Sequence, residues 1–460
     1  MLSSGKLGFW GLTALVFGLM VGVGIFNLPQ NMASVAAPGS VFLAWIITGA
    51  GILPLVMVFK WLSTHYPQYN AGLYQYAQAG FGNYVGFNIA WGYWLCTAFS
   101  NVTFCVILND SLGAIFPVML NHNWPTVVFG TCLIWSMFWI VSRGIQTAKI
   151  INNLLSGIKI VMIVFIIIVF SLYFKFDMFD ADIWGNIKEL GTVGDQIKST
   201  MMITLFCFFG VEGAVMMSAR AKKSSDVGKA GVAGFLISLI LYLAISLLCF
   251  GLMTRAKMAG LHDPSVAYIL KDICGPWAYW IVIAAIIISL LGGCVSWTLV
   301  VAQVPYEASI VKILPPIFRK VNKHGMPAFG LFMSSLVEML FLMMVVYADN
   351  VYLAALYITG LMIIPCYFFT ALFLLKVGNS KGVKTLAVIT LLFCCWMAYA
   401  GGLKELFMTS LFYLLGVGFY IRARRDNYPD IKQLFTRNEK FLLAFLILAS
   451  AATAVMLITS

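Results

Sequence analysis

A glutamate flanked by glycines, in Phe209-Gly210-Val211-Glu212-Gly213, lies inside an apolar run long enough to cross a bilayer. A carboxylate there is rare, and by default it marks a functional site. Glu212 is read as a pH-sensing or gating group. The competing reading is a structural glutamate neutralised by hydrogen bonds from nearby backbone. Lys159 is the second charge within a span, and its ammonium needs carbonyls or an acid around it. A lysine there can fill the place of a sodium ion between helices, which argues against sodium coupling. Snorkelling of its long stem to the interface is the alternative. Trp297 follows the small-residue run Gly292-Gly293-Cys294-Val295-Ser296. An indole face attracts a guanidinium or ammonium by about 0.5–2 kcal/mol. Phe206 and Phe209 precede the glycines around Glu212 and are candidate walls of the same site, although packing is the commoner use of each. Tyr93, Thr97 and Asn101 recur at spacing four and form a polar stripe on an apolar helix. Asp110, farther along, is a candidate cation attractor at the outer end. Glu338 has no partner that the sequence can name, so it reads as structural or as an inter-subunit contact. Glu307 and Arg220 fall near inner ends and are a candidate gate pair.

These groups need elements to hold them. Of 460 residues, 62% are hydrophobic and 10% charged, against about 25% charged in soluble proteins. The chain is read as an all-α polytopic membrane protein. Its net charge of +12 would suggest nucleic acid in a soluble protein. Here the basic residues sit in short loops, so they read as topology signals and no nucleic-acid partner is expected. Apolar runs fall at about 10–35, 41–60, 83–117, 125–142, 150–174, 196–219, 228–253, 277–306, 327–348, 351–375, 384–401, 403–421 and 441–458. The first is too long for a signal-peptide core. With the N-terminus in the cytoplasm, the inner loops hold 21 of the 29 Lys and Arg and the outer loops 7. The reverse orientation would invert that bias. An odd number of spans then places the C-terminus outside.

Two spans are interrupted. Gly22-Val23-Gly24 and then Pro29 break the first, and Gly210 to Gly213 break the sixth. Unpaired backbone in hydrocarbon costs several kcal/mol, on the order of an unmade hydrogen bond, so a break survives only where it lines a cavity. The breaks are five spans apart, and an odd offset flips orientation. This points to an inverted repeat with a binding site at the breaks. Close packing between helices is the alternative use of such glycines. The half-helix after Gly24 opens with free N–H groups and a positive dipole end, which suits a carboxylate. The half-helix ending at the second break offers carbonyls, which suit an ammonium. Together they would hold both ends of an α-amino acid.

The stretch Gly22-Val23-Gly24-Ile25-Phe26-Asn27-Leu28-Pro29-Gln30-Asn31-Met32-Ala33 resembles the first-span signature of the amino acid–polyamine–organocation superfamily. Within it, the chain is most similar to the basic amino acid/polyamine antiporters, especially the arginine/ornithine and arginine/agmatine exchangers. Ala71 to Ala77, Gly210 to Ala214, Ser218 to Lys222 and Ser296-Trp297-Thr298-Leu299 carry the likeness further. It implies a five-plus-five inverted-repeat, LeuT-like fold of about 12–13 transmembrane helices in one domain. Repeat one would cover about 10–174, repeat two about 196–375, and accessory spans about 384–458. It implies that the main chain at Val23, Gly24 and Ile25 holds the substrate carboxylate. Asn101 and Trp297 match substrate contacts, Glu212 the pH-sensing glutamate, and Thr359 a contact in span ten. Two positions depart from the pattern: Phe206 stands where the arginine/agmatine exchangers carry a tryptophan gate, and Val23 stands where many relatives have serine.

The expected function is exchange of arginine for ornithine or agmatine across a bacterial cytoplasmic membrane by alternating access. The alternative is a proton-coupled amino acid symporter. The expected partners are small cationic amino acids or amines and the lipid bilayer, and a homodimer is allowed. A membrane enzyme would need clustered His/Asp or Cys/His near one face. Four scattered histidines and ten cysteines without a CxxC do not supply one, so neither metal nor cofactor is expected. A receptor or scaffold would carry a larger extramembrane domain than loops of roughly 25 residues allow.

Overall fold

The computed structural model describes residues 8–69, 72–121, 123–185, 187–216, 221–347, 351–431 and 433–459. The first apolar run folds as α1 (Phe9–Met20), a 3-10 turn (Val23–Phe26) and α2 (Leu28–Val35). Pro29 lies in the first turn of α2, where the missing N–H has no helical acceptor to lose. Then follow α3 (Pro38–His65), α4 (Leu73–Phe81), α5 (Asn83–Gly113), α6 (Trp124–Ser142) and α7 (Ile145–Tyr173). Two short turns, α8 (Phe176–Asp180) and α9 (Ile187–Leu190), lead to α10 (Val193–Cys207). A capping box starts α10: Asp195 N–H donates to the Thr192 hydroxyl, and Thr192 N–H donates to the Asp195 carboxylate. The Thr192 hydroxyl, at 2.7 Å, and then its N–H donate to the Asp195 carboxylate and hold that carboxyl below its usual range.

After the second break come α11 (Gly213–Met216), α12 (Ser224–Leu248), α13 (Arg255–Ala259), α14 (Ser265–Cys274) and α15 (Pro276–Ile310). The chain ends with α16 (Ala328–Val345), α17 (Val351–Val377), α18 (Lys381–Ala400), α19 (Leu403–Leu415), α20 (Val417–Asn427) and α21 (Arg437–Thr459). The two-residue turn between α18 and α19 relies on Gly402 at φ +93°, a conformation that costs other residues strain.

Among the described residues, ten helices are long and apolar enough to cross a membrane. The other three apolar runs fold as α7, whose described part is shorter, and as the broken α1–α2 and α10–α11. Trp10, Leu172, Ile240 and Leu448 are exposed on the outside, as expected where lipid replaces water. The inside is built on α5, whose spanning window is buried along its whole length. It packs against α15 and α17, while α12 packs against α1 and α3. Two features have no counterpart among the thirteen apolar runs. One is α4, which lies against α5 and α17 and is pinned by Lys376 Nζ donating to Gly80 O at 2.6 Å. The other is the α13–α14 hairpin.

Candidate functional site

The site begins where α1 stops. Past Met20 the backbone leaves the helix: Gly22 has φ −116° and ψ −130°. The freed carbonyls are used. Met20 O accepts the Tyr242 hydroxyl at 2.6 Å, and Gly18 O accepts Lys159 Nζ at 3.1 Å. Lys159 is buried, so its ammonium is tied to α1 and does not snorkel. The N–H groups of Val23, Gly24 and Ile25 open the following turn, a position where helices leave donors without an internal acceptor. Helices α13 and α14 both pack against α2. Ser265 Oγ donates to Phe26 O and accepts Gln30 N–H, both at 3.3 Å, and Arg255 donates to Ala33 O at 3.1 Å.

The second break packs directly onto the first. Gly210 has φ +101°, and a Cβ there would lie 2.9 Å from Leu19 Cβ and 3.0 Å from Leu19 C. Both the backbone angle and the available space therefore require glycine. Gly210→Ala should lower stability by about 2 kcal/mol or more, from roughly 1–2 kcal/mol of left-handed strain plus overpacking. Thermal unfolding of the detergent-solubilised protein checks this, and an unchanged midpoint would refute it. At Gly24 the packing makes no such demand, since the nearest atoms to a Cβ would be Tyr352 Oη at 3.6 Å, Cys207 Sγ at 3.7 Å and Phe206 Cδ1 at 3.9 Å, all ordinary contacts. There the absent side chain leaves space for a ligand.

Between the breaks lies a narrow cavity lined by Gly22, Gly24, Ser100, Phe104, Phe206, Phe209, Tyr242 and Trp297 among others. A second shares Gly22, Phe104 and Trp297 and reaches Lys159. The Phe104 ring stands against Gly22 and Gly293, where added Cβ atoms would approach it to 3.0 Å and 2.3 Å. Phe209 stacks on Trp297 with centroids 5.0 Å apart and planes at 15°. Phe206 is parallel to Phe209 at 6.4 Å and meets Tyr352 edge-on at 6.4 Å. The result is an aromatic wall facing glycine backbone. One side suits a planar or cationic group, and the other suits a carboxylate.

Glu212 is fully buried and lines neither cavity; its carboxylate is clasped. Tyr93 Oη donates to Oε1 and Tyr367 Oη to Oε2, each at 2.9 Å. The clasp ties the second break to α5 and α17. Backbone groups at Glu212 and Gly210 also bond the carboxylate, so the alternative of hydrogen bonds from nearby backbone holds in part and the two phenols add to it.

The polar stripe on α5 does not act as one face. Only Tyr93 reaches Glu212. Thr97 Oγ1 donates to Trp94 O on its own helix at 2.8 Å. Asn101 Nδ2 donates to Thr298 Oγ1 at 3.2 Å and Glu338 Oε1 at 3.0 Å. The cavity is lined instead by their neighbours Ser100 and Phe104. Thr359 is buried, and its carbonyl accepts the Cys96 thiol at 3.2 Å. Tyr93, Thr97, Asn101 and Thr359 are not among the residues lining either cavity. Sequence reasoning also passed over Ser100, Phe104, Tyr242 and Tyr352, which carry no charge or unusual spacing.

Of three further expectations, one changes, one is narrowed, and the Glu307–Arg220 pair falls partly outside the described residues. Asp110 is buried and accepts Asn109 Nδ2 at 3.3 Å, so it does not face an open vestibule. Glu338 is buried and accepts from Asn101, which fits the structural reading and not the inter-subunit one. Glu307 accepts Gln303 Nε2 at 2.6 Å, and Arg220 lies outside the described residues. All ten cysteines are free, and among the described residues no group of His, Cys, Asp and Glu is set to hold a metal.

Residues 7–431 match the model of the amino acid permease family. An arginine/agmatine antiporter of Chlamydia pneumoniae is 39% identical, the match covering 100% of this chain and 98% of that protein. An arginine/agmatine antiporter of Chlamydia trachomatis serovar L2 is 38% identical, covering 97% and 95% respectively. The fold is that of MhsT, solved in complex with L-phenylalanine, with a TM-score of 0.57 at 14% identity over 85% of this chain and 97% of that one.

Proposed function

Because this chain belongs to the amino acid permease family, as an integral protein of a bacterial membrane, we propose that it is an antiporter taking up arginine and releasing agmatine. Similarity along the full length of both chains to proteins named arginine/agmatine antiporters carries this reading. Ornithine is the other counter-substrate to test. The substrate would bind between the breaks, with its carboxylate at the N–H groups of Val23, Gly24 and Ile25 and its guanidinium toward Phe209 and Trp297. Glu212 would be the gating and pH-responsive group, and Lys159 would hold the place of a sodium ion. Repeat one would run over about 10–174 and repeat two over about 196–375, so that rocking about the breaks alternates access. The N-terminus would lie in the cytoplasm, on the side with the excess of Lys and Arg. No bond in the substrate is made or broken. Arginine entering against agmatine leaving exports one positive charge per cycle, whereas arginine against ornithine is electroneutral.

Counterflow in proteoliposomes tests the proposal. Labelled arginine should enter vesicles loaded with agmatine and not empty ones. Uptake into empty vesicles driven by a pH gradient would instead establish proton symport.

A further inference from the structure

Two cations meet on one aromatic ring where α15 and α20 end. Arg424 Cζ lies 5.0 Å and Lys312 Nζ 5.5 Å from the centroid of Tyr428. Like charges repel, so their convergence calls for a counter-charge. The protein supplies none: among the described residues the ion pairs are Arg255–Glu189, Lys257–Asp272 and Arg422–Asp426. The Nε–H of Arg424 is buried and has no acceptor. Buried donors are normally satisfied, and a guanidinium nitrogen that is not points to an anion. Lys312 is also the one non-glycine residue with a positive φ among the described residues, at +62°. Backbone strain of this kind is concentrated at functional positions.

The surroundings hold both cations in place. The turn Pro316–Arg319 packs on α20. Arg319 donates to Ser309 O at 2.6 Å and to Asn427 Oδ1 at 2.7 Å, and Asn427 Nδ2 donates to Leu314 O at 3.2 Å. Two membrane-spanning stretches, Pro276–Ile310 and Leu403–Asn427, finish here, so the ring and its cations stand at headgroup depth. Ile310, 48% exposed, comes two residues before Lys312 and offers apolar surface to an acyl chain.

We propose that Lys312 and Arg424 form a binding site for a phosphate group, occupied by the headgroup of an anionic phospholipid, with Tyr428 holding the two cations in register. A guanidinium fork and an ammonium point charge both suit phosphate oxygens. Basic residues at the membrane surface attract anionic lipid. The apolar flank favours lipid over free phosphate, which gains nothing from Ile310. The site shares no residue with either cavity, so it stands apart from the question of which amino acid crosses.

Thermal unfolding of the detergent-solubilised full chain tests this, with phosphatidylglycerol, phosphatidylcholine or inorganic phosphate titrated in. Phosphatidylglycerol should raise the midpoint saturably, and the other two should not. Arg424→Gln and Lys312→Gly should each raise the half-saturating lipid concentration about fivefold or more, ~1 kcal/mol per cation. Lys381→Gln, which removes an exposed cation at the start of α18, should leave it within about twofold. Lys312→Gly also relieves the positive φ, so its midpoint without lipid should hold or rise. A fall there would make Lys312 a structural residue and overturn the proposal. An equal effect of Lys381→Gln would mean diffuse attraction, and stabilisation by inorganic phosphate alone would mean a soluble anion. Either result overturns the lipid site, as does an unmoved midpoint with phosphatidylglycerol.

Discussion

Glu212→Ala should reduce exchange by two orders of magnitude or more. Tyr93 and Tyr367 each give one hydrogen bond to this carboxylate. Bonds to a charged group contribute about 1.5–3 kcal/mol each, and phenols left buried without an acceptor carry a further penalty. The clasp joins α5, the break before α11, and α17, so its loss falls on any conformation that needs those three elements together. A loss of roughly 3–6 kcal/mol for that conformation corresponds to ~10²–10⁴ in its population. Glu212→Gln should be milder, because a side-chain amide still accepts from one phenol while its NH2 confronts the other oxygen as a donor. Exchange rates in proteoliposomes, corrected for the amount of protein incorporated, separate the two variants. An alanine variant exchanging within about twofold of wild type would remove the clasp from the transport cycle.

Trp297→Ala should damage both stability and affinity, and the two can be told apart. The indole stacks on Phe209, is 3% exposed and borders both cavities. Truncating a buried tryptophan costs about 3–5 kcal/mol of stability. Lost attraction to a guanidinium adds about 0.5–2 kcal/mol to binding, or roughly a 2- to 30-fold weaker affinity. Trp297→Leu restores most of the volume but not the π face. It should recover the melting temperature and leave arginine affinity low. If Trp297→Leu binds arginine as tightly as wild type, the ring serves packing alone. Phe206, without an indole N–H, can offer only its face. This leaves Trp297 as the one indole on the cavity between the breaks among the described residues.

The polar stripe on α5 shows why some of the site was legible and some was not. Spacing four correctly put Tyr93, Thr97 and Asn101 on one helix, but periodicity reveals a face only when the other face is different. α5 is enclosed along its whole spanning window. Every direction around it is protein, so polarity does not mark the direction of the cavity. Thr97 spends its hydroxyl on its own helix, and Ser100 and Phe104 take the lining positions. Glu338 failed to find a partner in the sequence for a related reason: Asn101 is 237 residues away, and no local pattern encodes that pairing.

The sequence alone determined what the bilayer enforces locally. Hydrocarbon satisfies no backbone groups, so each span must be an apolar helix of readable length, and each interruption must show as glycine or proline. Composition, span number and the breaks at Gly22–Gly24 and Gly210–Gly213 follow from that rule. Only the tertiary structure decided what meets across the breaks. Leu19 filling the space at Gly210, the two tyrosines on Glu212, the ring of Phe209 on Trp297 and the Glu338–Asn101 pair depend on how distant helices pack. In a membrane, where apolar surface faces lipid and protein alike, hydrophobicity does not distinguish one neighbour from another.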